Sequence, residues 1–224
     1  MSNISTTTNF YKNSGNRPLL NLVREPGGLA LDCGCGAGDN ARLLKEKGWL
    51  VTGITISVSE QQAAIEHCNK VYLANLENGL PPAIEEKYHL VVLSHVLEHL
   101  VDPTKLLQDT RRVLHRDGQV AVALPNVLAY RQRFKFLLGK FEYEDSGTMD
   151  RTHVRFYTPA TGAALLRSQG FEIVTSEVEG AFPLWRFRKL LPPGLVGKLN
   201  RLACRRWPGL FGSQSLYIVR LPHD

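Results

Sequence analysis

What this 224-residue chain lacks narrows its function before any motif is read. Its four cysteines, Cys33, Cys35, Cys68 and Cys204, form no C-x-x-C pair, which excludes a zinc finger or disulfide scaffold and implies a reducing cytoplasm. No apolar run approaches eighteen residues. The strongest, Val120–Pro125, is six long, so no membrane-spanning segment is expected. Met1–Arg17 is polar, without the apolar core of a secretory signal. Repeats and low-complexity tracts are absent, and 43% hydrophobic with 21% charged residues is ordinary for a globular chain. Acidic residues are missing from Pro183 to Ser213, where Arg186, Arg188, Lys189, Lys198, Arg201, Arg205 and Arg206 supply seven positive charges. The whole chain carries +6, so the remainder sums to −1 and the basicity is local. A general nucleic-acid coat is thereby disfavoured.

What is present is an alternation of short apolar runs with helix-like segments. Strands are expected at Gly28–Cys33, Trp49–Thr55, Lys70–Ala74, His89–Ser94 and Gly118–Leu124. Helices are expected at Asp39–Gly48, Ser57–Cys68, Pro103–His115 and Thr158–Gln169. Apolar strands separated by helices imply an α/β, doubly wound, mostly parallel sheet covered on both faces. Phe171–Glu179 alternates as an antiparallel strand would, with Gln214–Leu221 as its partner, making seven strands with the last antiparallel. The chain reads as a single domain, 1–224, with rim insertions at 127–157, an acceptor lid without clear period, and at 183–213, the basic segment.

The sharpest motif is Leu31-Asp32-Cys33-Gly34-Cys35-Gly36-Ala37-Gly38-Asp39, a buried strand entering three alternate glycines before a helix. Glycines there allow a tight turn and close backbone approach to a ligand at a helix N-terminus. The spacing is G-x-G-x-G rather than the G-x-G-x-x-G dinucleotide fingerprint, and no acid ends the second strand. A nicotinamide-dependent oxidoreductase is therefore the weaker alternative. Asp32 suits an ammonium or ribose hydroxyls and would repel a pyrophosphate.

This stretch, LALDCGCGAGDNARLLKEKG, resembles motif I of class I S-adenosylmethionine-dependent methyltransferases, and the resemblance runs from about Arg17 to Gln169. It implies S-adenosyl-L-methionine as cofactor, with Asp32, Gly34, Cys35 and Gly36 around the methionyl part and Gly38 opening the helix. The family's acid after the second strand falls on Thr55 and its Asp after the third on Asn75, with Leu76 following and Gln61 as a candidate ribose ligand. The GITIS string is similar to that of cyclopropane-fatty-acid synthase-like members. Ser94 ends the fourth strand against the cofactor.

His95, Glu98 and His99 follow at i, i+3 and i+4, one face of a helix. The pattern H-x-x-E-H also matches inverted zinc proteases, but it stands on a short turn at a strand end rather than on a long helix. Members similar to ubiquinone-biosynthesis O-methyltransferases carry a carboxylate–x–x–Glu–His cluster there that can hold a divalent cation. In this chain Glu98 and His99 pairing with each other is the simpler expectation, and no metal is assigned. Asp150-Arg151-Thr152-His153-Val154-Arg155-Phe156-Tyr157-Thr158 resembles a string in small methyltransferases of polysaccharide and secondary-metabolite pathways. His153 is the first choice of general base, with His95 and His99 as the others. Asp150 would orient His153, and Arg155 would meet an acidic acceptor.

The reading is a methyltransferase acting on a small-molecule, sugar- or lipid-linked hydroxyl. A non-catalytic S-adenosylmethionine-binding subunit is the other alternative. Amino-methyltransferases acting on bases place an N-P-P-Y-type motif after the fourth strand, where this chain has SHVLEH, so no nucleic-acid partner is expected. Leu195, Leu199 and Leu202 form an apolar stripe beside Lys198, Arg201 and Arg205, flanked by Trp185, Phe187, Trp207 and Phe211. Two readings follow: contact with an anionic membrane or acceptor, or an ordinary helix packing its leucines on the domain.

Overall fold

The computed structural model describes residues 14–24, 27–183 and 190–222. Their strands are β1 (Gly28–Cys33), β2 (Trp49–Thr55), β3 (Lys70–Leu73), β4 (Tyr88–Ser94), β5 (Leu114–Pro125), β6 (Glu172–Gly180) and β7 (Gly212–Arg220). They form one sheet in the order β3-β2-β1-β4-β5-β7-β6. The pairs among β1–β5 are parallel, and β7 runs antiparallel between β5 and β6.

Alternate strand residues feed two cores, which is why these strands carry no polar face. Leu31, Val91, Leu93, Val120 and Val122 point to one side, where helices α4 (Thr104–Val113) and α6 (Pro159–Ser168) bury Leu106, Leu107 and Leu166. Ala30, Leu90, Val92, Ala121 and Ala123 point to the other. There α1 (Arg17–Leu20), α2 (Asp39–Lys45) and α3 (Val58–Ala64) bury Leu19, Leu20, Leu43, Leu44 and Ala64. The strand order reverses at β1, whose neighbours are β2 and β4, so the crevice of a doubly wound sheet opens beyond the ends of β1 and β4. The glycine loop and the histidine-rich turn leave those two strands.

Several boundaries differ from the sequence reading: α2 ends at Lys45 rather than Gly48, α3 at Ala64 rather than Cys68 and α4 at Val113 rather than His115. β5 begins at Leu114 rather than Gly118, its polar stretch His115–Asp117 lying at the solvated end of the strand. The 127–157 stretch holds a helix, α5 (Tyr130–Leu137), hidden from periodicity because charged and aromatic residues alternate around it and Phe134 and Leu137 face outward. The basic stretch contains α7 (Pro193–Arg206) and α8 (Pro208–Phe211). Trp185, Arg186, Phe187, Arg188 and Lys189 lie outside the described residues.

Candidate active site

The parallel register brings the ends of four strands to one edge. Cys33 lies beside Ile54 and Leu93, and Thr55 beside Leu73. The glycine loop leaves this edge with Gly34, Gly36 and Gly38 all at positive φ (71°, 52° and 90°), the left-handed region that side chains avoid. A Cβ on Gly34 would stand 2.8 Å from Val96 Cγ2. The loop is pinned by Cys35 N donating to the Ile54 carbonyl at 2.9 Å. Cys35 itself turns inward: its buried thiol packs with Cys68 beneath Gly53.

Asp32 is the electrostatic centre of this pocket. It is 1% exposed, and neither carboxyl oxygen has a hydrogen-bond partner. Burial pushes its carboxyl up to about 7, opposed by the nearby Asn40 side chain, which comes close without forming a well-aligned hydrogen bond. An orphaned buried carboxylate beside a three-glycine cradle needs a cationic or hydroxyl-bearing ligand. The ammonium and ribose of S-adenosylmethionine provide both, so these residues fit that cofactor.

The ribose side is arranged differently from the reading of Thr55 and Gln61. Thr55 Oγ1 donates to Glu60 Oε2 at 2.7 Å, and Gln61 Nε2 donates to the Val71 carbonyl at 3.1 Å. Both groups are engaged within the protein. Thr55 thereby holds an acid, Glu60 on the first turn of α3, back against the end of β2. Asn75 Oδ1 accepts from Glu77 N at 2.9 Å, capping the turn that buries Leu76. Ser94 Oγ accepts from Asn16 Nδ2 at 3.2 Å, and Asn16 also reaches Gln214 Oε1 at 3.1 Å. Nothing in the sequence pointed to Asn16 or Gln214.

His95, Glu98 and His99 do not share a helical face. His95 has φ +57°, a rare conformation for a side chain, and the helical turn covers only Leu97–His99. The consequence is a division of labour. His95 Nδ1 lies 3.1 Å from Glu98 Oε1 and Nε2 lies 2.9 Å from Gln214 Oε1. An acceptor at each nitrogen favours the doubly protonated ring. Partial burial pulls its pKa down, but Glu98, Gln214 and Glu179 more than offset this, and the net shift is upward. Glu98 is fully buried, its second oxygen Oε2 without a partner.

His99 turns the other way, toward the 150–157 loop. That loop is stitched to the turn by Val154 N and Arg155 N, both donating to the Glu98 carbonyl at 3.0 Å. Thr152 Oγ1 gives its one hydrogen to Asp150 Oδ1 at 2.6 Å. Toward His99 Nδ1, at 3.1 Å, it acts as acceptor, as does the Thr152 carbonyl at 3.3 Å. Nδ1 therefore bears the proton and Nε2 a lone pair. Burial lowers the His99 pKa, Glu98 opposes this, and His153 lowers it further. The ring is exposed at the mouth and neutral at neutral pH.

His153 is 8% exposed, not a surface residue. Its Nδ1 donates to the Thr148 carbonyl at 3.1 Å, and its ring meets that of His99 edge-on at 4.7 Å. Asp150 Oδ1 accepts from the Thr152 hydroxyl that meets His99, while the Asp150 carbonyl accepts from His153 N at 3.0 Å. Arg155 is displaced from its expected role: Nε donates to the Val101 carbonyl at 2.7 Å. Arg151 pairs with Asp145, and Thr158 caps α6 in a capping box with Thr161. Ligand atoms of Glu98, His99 and His153 lie within 4.8 Å of one another, a donor set able to take a divalent cation of the zinc type.

A methyltransferase-domain family model matches residues 8–176. The chain is 27% identical over 186 residues to a ubiquinone biosynthesis O-methyltransferase of Pseudomonas fluorescens, covering 77% of this chain and 78% of that protein. It is 28% identical over 109 residues to the protein of that name from Haemophilus ducreyi, spanning under half of either chain (45% and 46%). Among solved structures, an S-adenosylmethionine-dependent methyltransferase from Archaeoglobus fulgidus superposes with a TM-score of 0.58 at 20% identity, over 85% of each chain.

Proposed function

This chain belongs to the methyltransferase family that uses S-adenosylmethionine, and from that premise we propose that it methylates a hydroxyl oxygen of a small, sugar- or lipid-linked acceptor, His99 taking the proton. When bound, the cofactor supplies a methyl group on a sulfonium, open to in-line displacement. The Asp32 carboxylate and the glycine loop hold its methionyl end. Glu60, already bonded to Thr55, accepts from the ribose.

The observation that carries the oxygen acceptor is the fixed tautomer of His99. A hydroxyl must lose its proton as it attacks, and His99 presents a neutral Nε2 lone pair at the mouth, oriented by Thr152 and Asp150. His153 packs against the edge of that ring and keeps it in place. His95 is bonded at both nitrogens, to Glu98 and Gln214, and holds the turn, so neither nitrogen is free for the acceptor. Two relatives named as O-methyltransferases support the choice of oxygen.

A methyl-transfer assay over acceptors bearing hydroxyl, amine or acidic carbon tests this reading. Turnover with hydroxyl acceptors is expected, reduced by about 10²-fold or more in His99→Gln with cofactor affinity unchanged. Preference for an amine, or wild-type turnover in that variant, would remove it.

A further inference from the structure

The two insertions meet on the rim above the candidate active site. Arg133 Nη2 donates to the Gly209 carbonyl at 3.3 Å, and the Tyr130 ring packs on Phe211, joining α5 to α8. The far end of the lid runs through Thr148 to His153. α5 is thus joined to α8, which directly follows α7, and the same insertion ends at His153 in the site.

Of the two expectations for the basic helix, the structure excludes a helix burying its leucine stripe. α7 sits on the domain through Val196, Ala203 and Cys204, with Asn200 Oδ1 accepting from Phe182 N at 3.0 Å. Leu195 and Leu202 are 43% and 63% exposed, and Leu199 is half-buried. Around them Lys198, Arg201, Arg205 and Arg206 are exposed, and none is in an ion pair among the described residues. Trp207 ends the helix half exposed, with the Arg206 guanidinium 5.1 Å above its ring. On α5 and just beyond it, Phe134, Leu137 and Phe141 are also exposed, Leu137 at 82%. Lys135 on that helix pairs with Glu144, while Arg131 and Arg133 are in no ion pair among the described residues and add to the positive charge of α7.

We propose that this rim docks on an anionic lipid bilayer. Its cations would meet headgroup phosphates while Leu195, Leu202, Leu137 and Phe134 enter the interfacial layer. Cations alone would suit any polyanion. Aliphatic side chains projecting from the centre of the cationic face, with a Trp at its end, select a surface that is acidic outside and apolar beneath. No described helix is long and apolar enough to cross a membrane, so the contact is peripheral. The inference rests on the methyltransferase reading in one respect: it makes the acceptor a lipid-carried molecule drawn from the bilayer into the mouth beneath the rim.

The test is co-sedimentation of the full chain with vesicles of phosphatidylcholine alone or mixed equally with phosphatidylglycerol, at 50 mM and 500 mM salt. The wild type is expected to bind the anionic vesicles at low salt and to be released at high salt. Arg201→Glu, Arg205→Glu, Arg206→Glu together should lower partitioning by about 10²-fold, at about fivefold or more per reversed charge. Leu195→Ser with Leu202→Ser should lower it by about tenfold without changing the salt dependence. Unaltered S-adenosylmethionine affinity in both variants shows that they fold. A wild type left in the supernatant with anionic vesicles, while still binding cofactor, overturns the docking and leaves the methyltransferase standing. Binding unaffected by the leucine substitutions and equally well competed by polyphosphate would also overturn it, the surface then being a general anion site.

Discussion

The Thr152 hydroxyl receives His99 Nδ1 at 3.1 Å and has already given its hydrogen to Asp150. That order of donation matters, because it leaves His99 one tautomer with its lone pair on Nε2. The arrangement follows the logic of a base oriented by a buried carboxylate, with a threonine interposed.

Thr152→Val keeps the shape of the loop and removes the acceptor. Turnover should fall about tenfold with little change in cofactor affinity, and Thr152→Ser should restore it. A structural role for Thr152 would lower thermal stability without this split. The pH profile gives a second check. Burial and His153 lower the His99 pKa, so kcat/KM should rise along an acid limb centred below the ordinary imidazole value of about 6.5. A limb above that value would point to His95, whose shift is upward.

Glu60→Gln tests the acid held by Thr55. A neutral amide still fills the space beside Thr55 but loses charge-assisted bonding to the ribose hydroxyls, so the Kd for S-adenosylmethionine should rise about tenfold, roughly 1.4 kcal/mol. Equal affinity in the variant would confine Glu60 to fixing Thr55.

Zinc should inhibit. Glu98 Oε2 has no partner, and both imidazoles are bonded to carbonyls through Nδ1, which leaves Nε2 available as a ligand. A zinc ion held there would occupy the lone pair that the base needs. Turnover should survive exhaustive chelation, fall on adding micromolar zinc, and become less zinc-sensitive in Glu98→Gln. Loss of activity on chelation, restored by a divalent ion, would instead make the cation part of the reaction.

The strands and the glycine loop were legible because each is a local pattern. Apolar runs fix buried parallel strands, and Gly34, Gly36 and Gly38 announce a turn that only glycine makes easily. The geometry of the histidine cluster was less legible, for reasons that have positions. A single residue, His95 at φ +57°, breaks the helical face that i, i+3, i+4 spacing implies and sends His95 and His99 in opposite directions. Asp150 reaches a histidine 51 positions away, through a threonine that no motif marks. The leucines of α7 were visible as a stripe, but only the packing of Val196 and Ala203 shows which side of the helix is covered.

Asp32 makes a prediction that does not depend on the acceptor. Free of ligand, its carboxyl is pushed up to about 7 by burial, so at pH 6 most molecules carry a proton there. In the unfolded chain the same group ionises near 4. The unfolded state therefore binds fewer protons between about pH 4 and 7, and this residue's contribution to stability declines as pH rises through that range. Asp32→Asn should accordingly gain thermal midpoint relative to the wild type on going from pH 5 to pH 7. Placing the ammonium of S-adenosylmethionine against Asp32 reverses the shift: the carboxylate becomes the favoured form, and its proton passes to the buffer. The cofactor's amino group is already protonated at pH 6 and takes up none. Calorimetric titration at pH 6 in two buffers of different ionisation enthalpy should therefore report release of about one proton per cofactor bound. The release should vanish at pH 8 and in Asp32→Asn, whose affinity should also fall by about tenfold or more. If the wild type shows no buffer dependence at pH 6, Asp32 does not face the ammonium, and the methionyl end of the cofactor must be held by other groups.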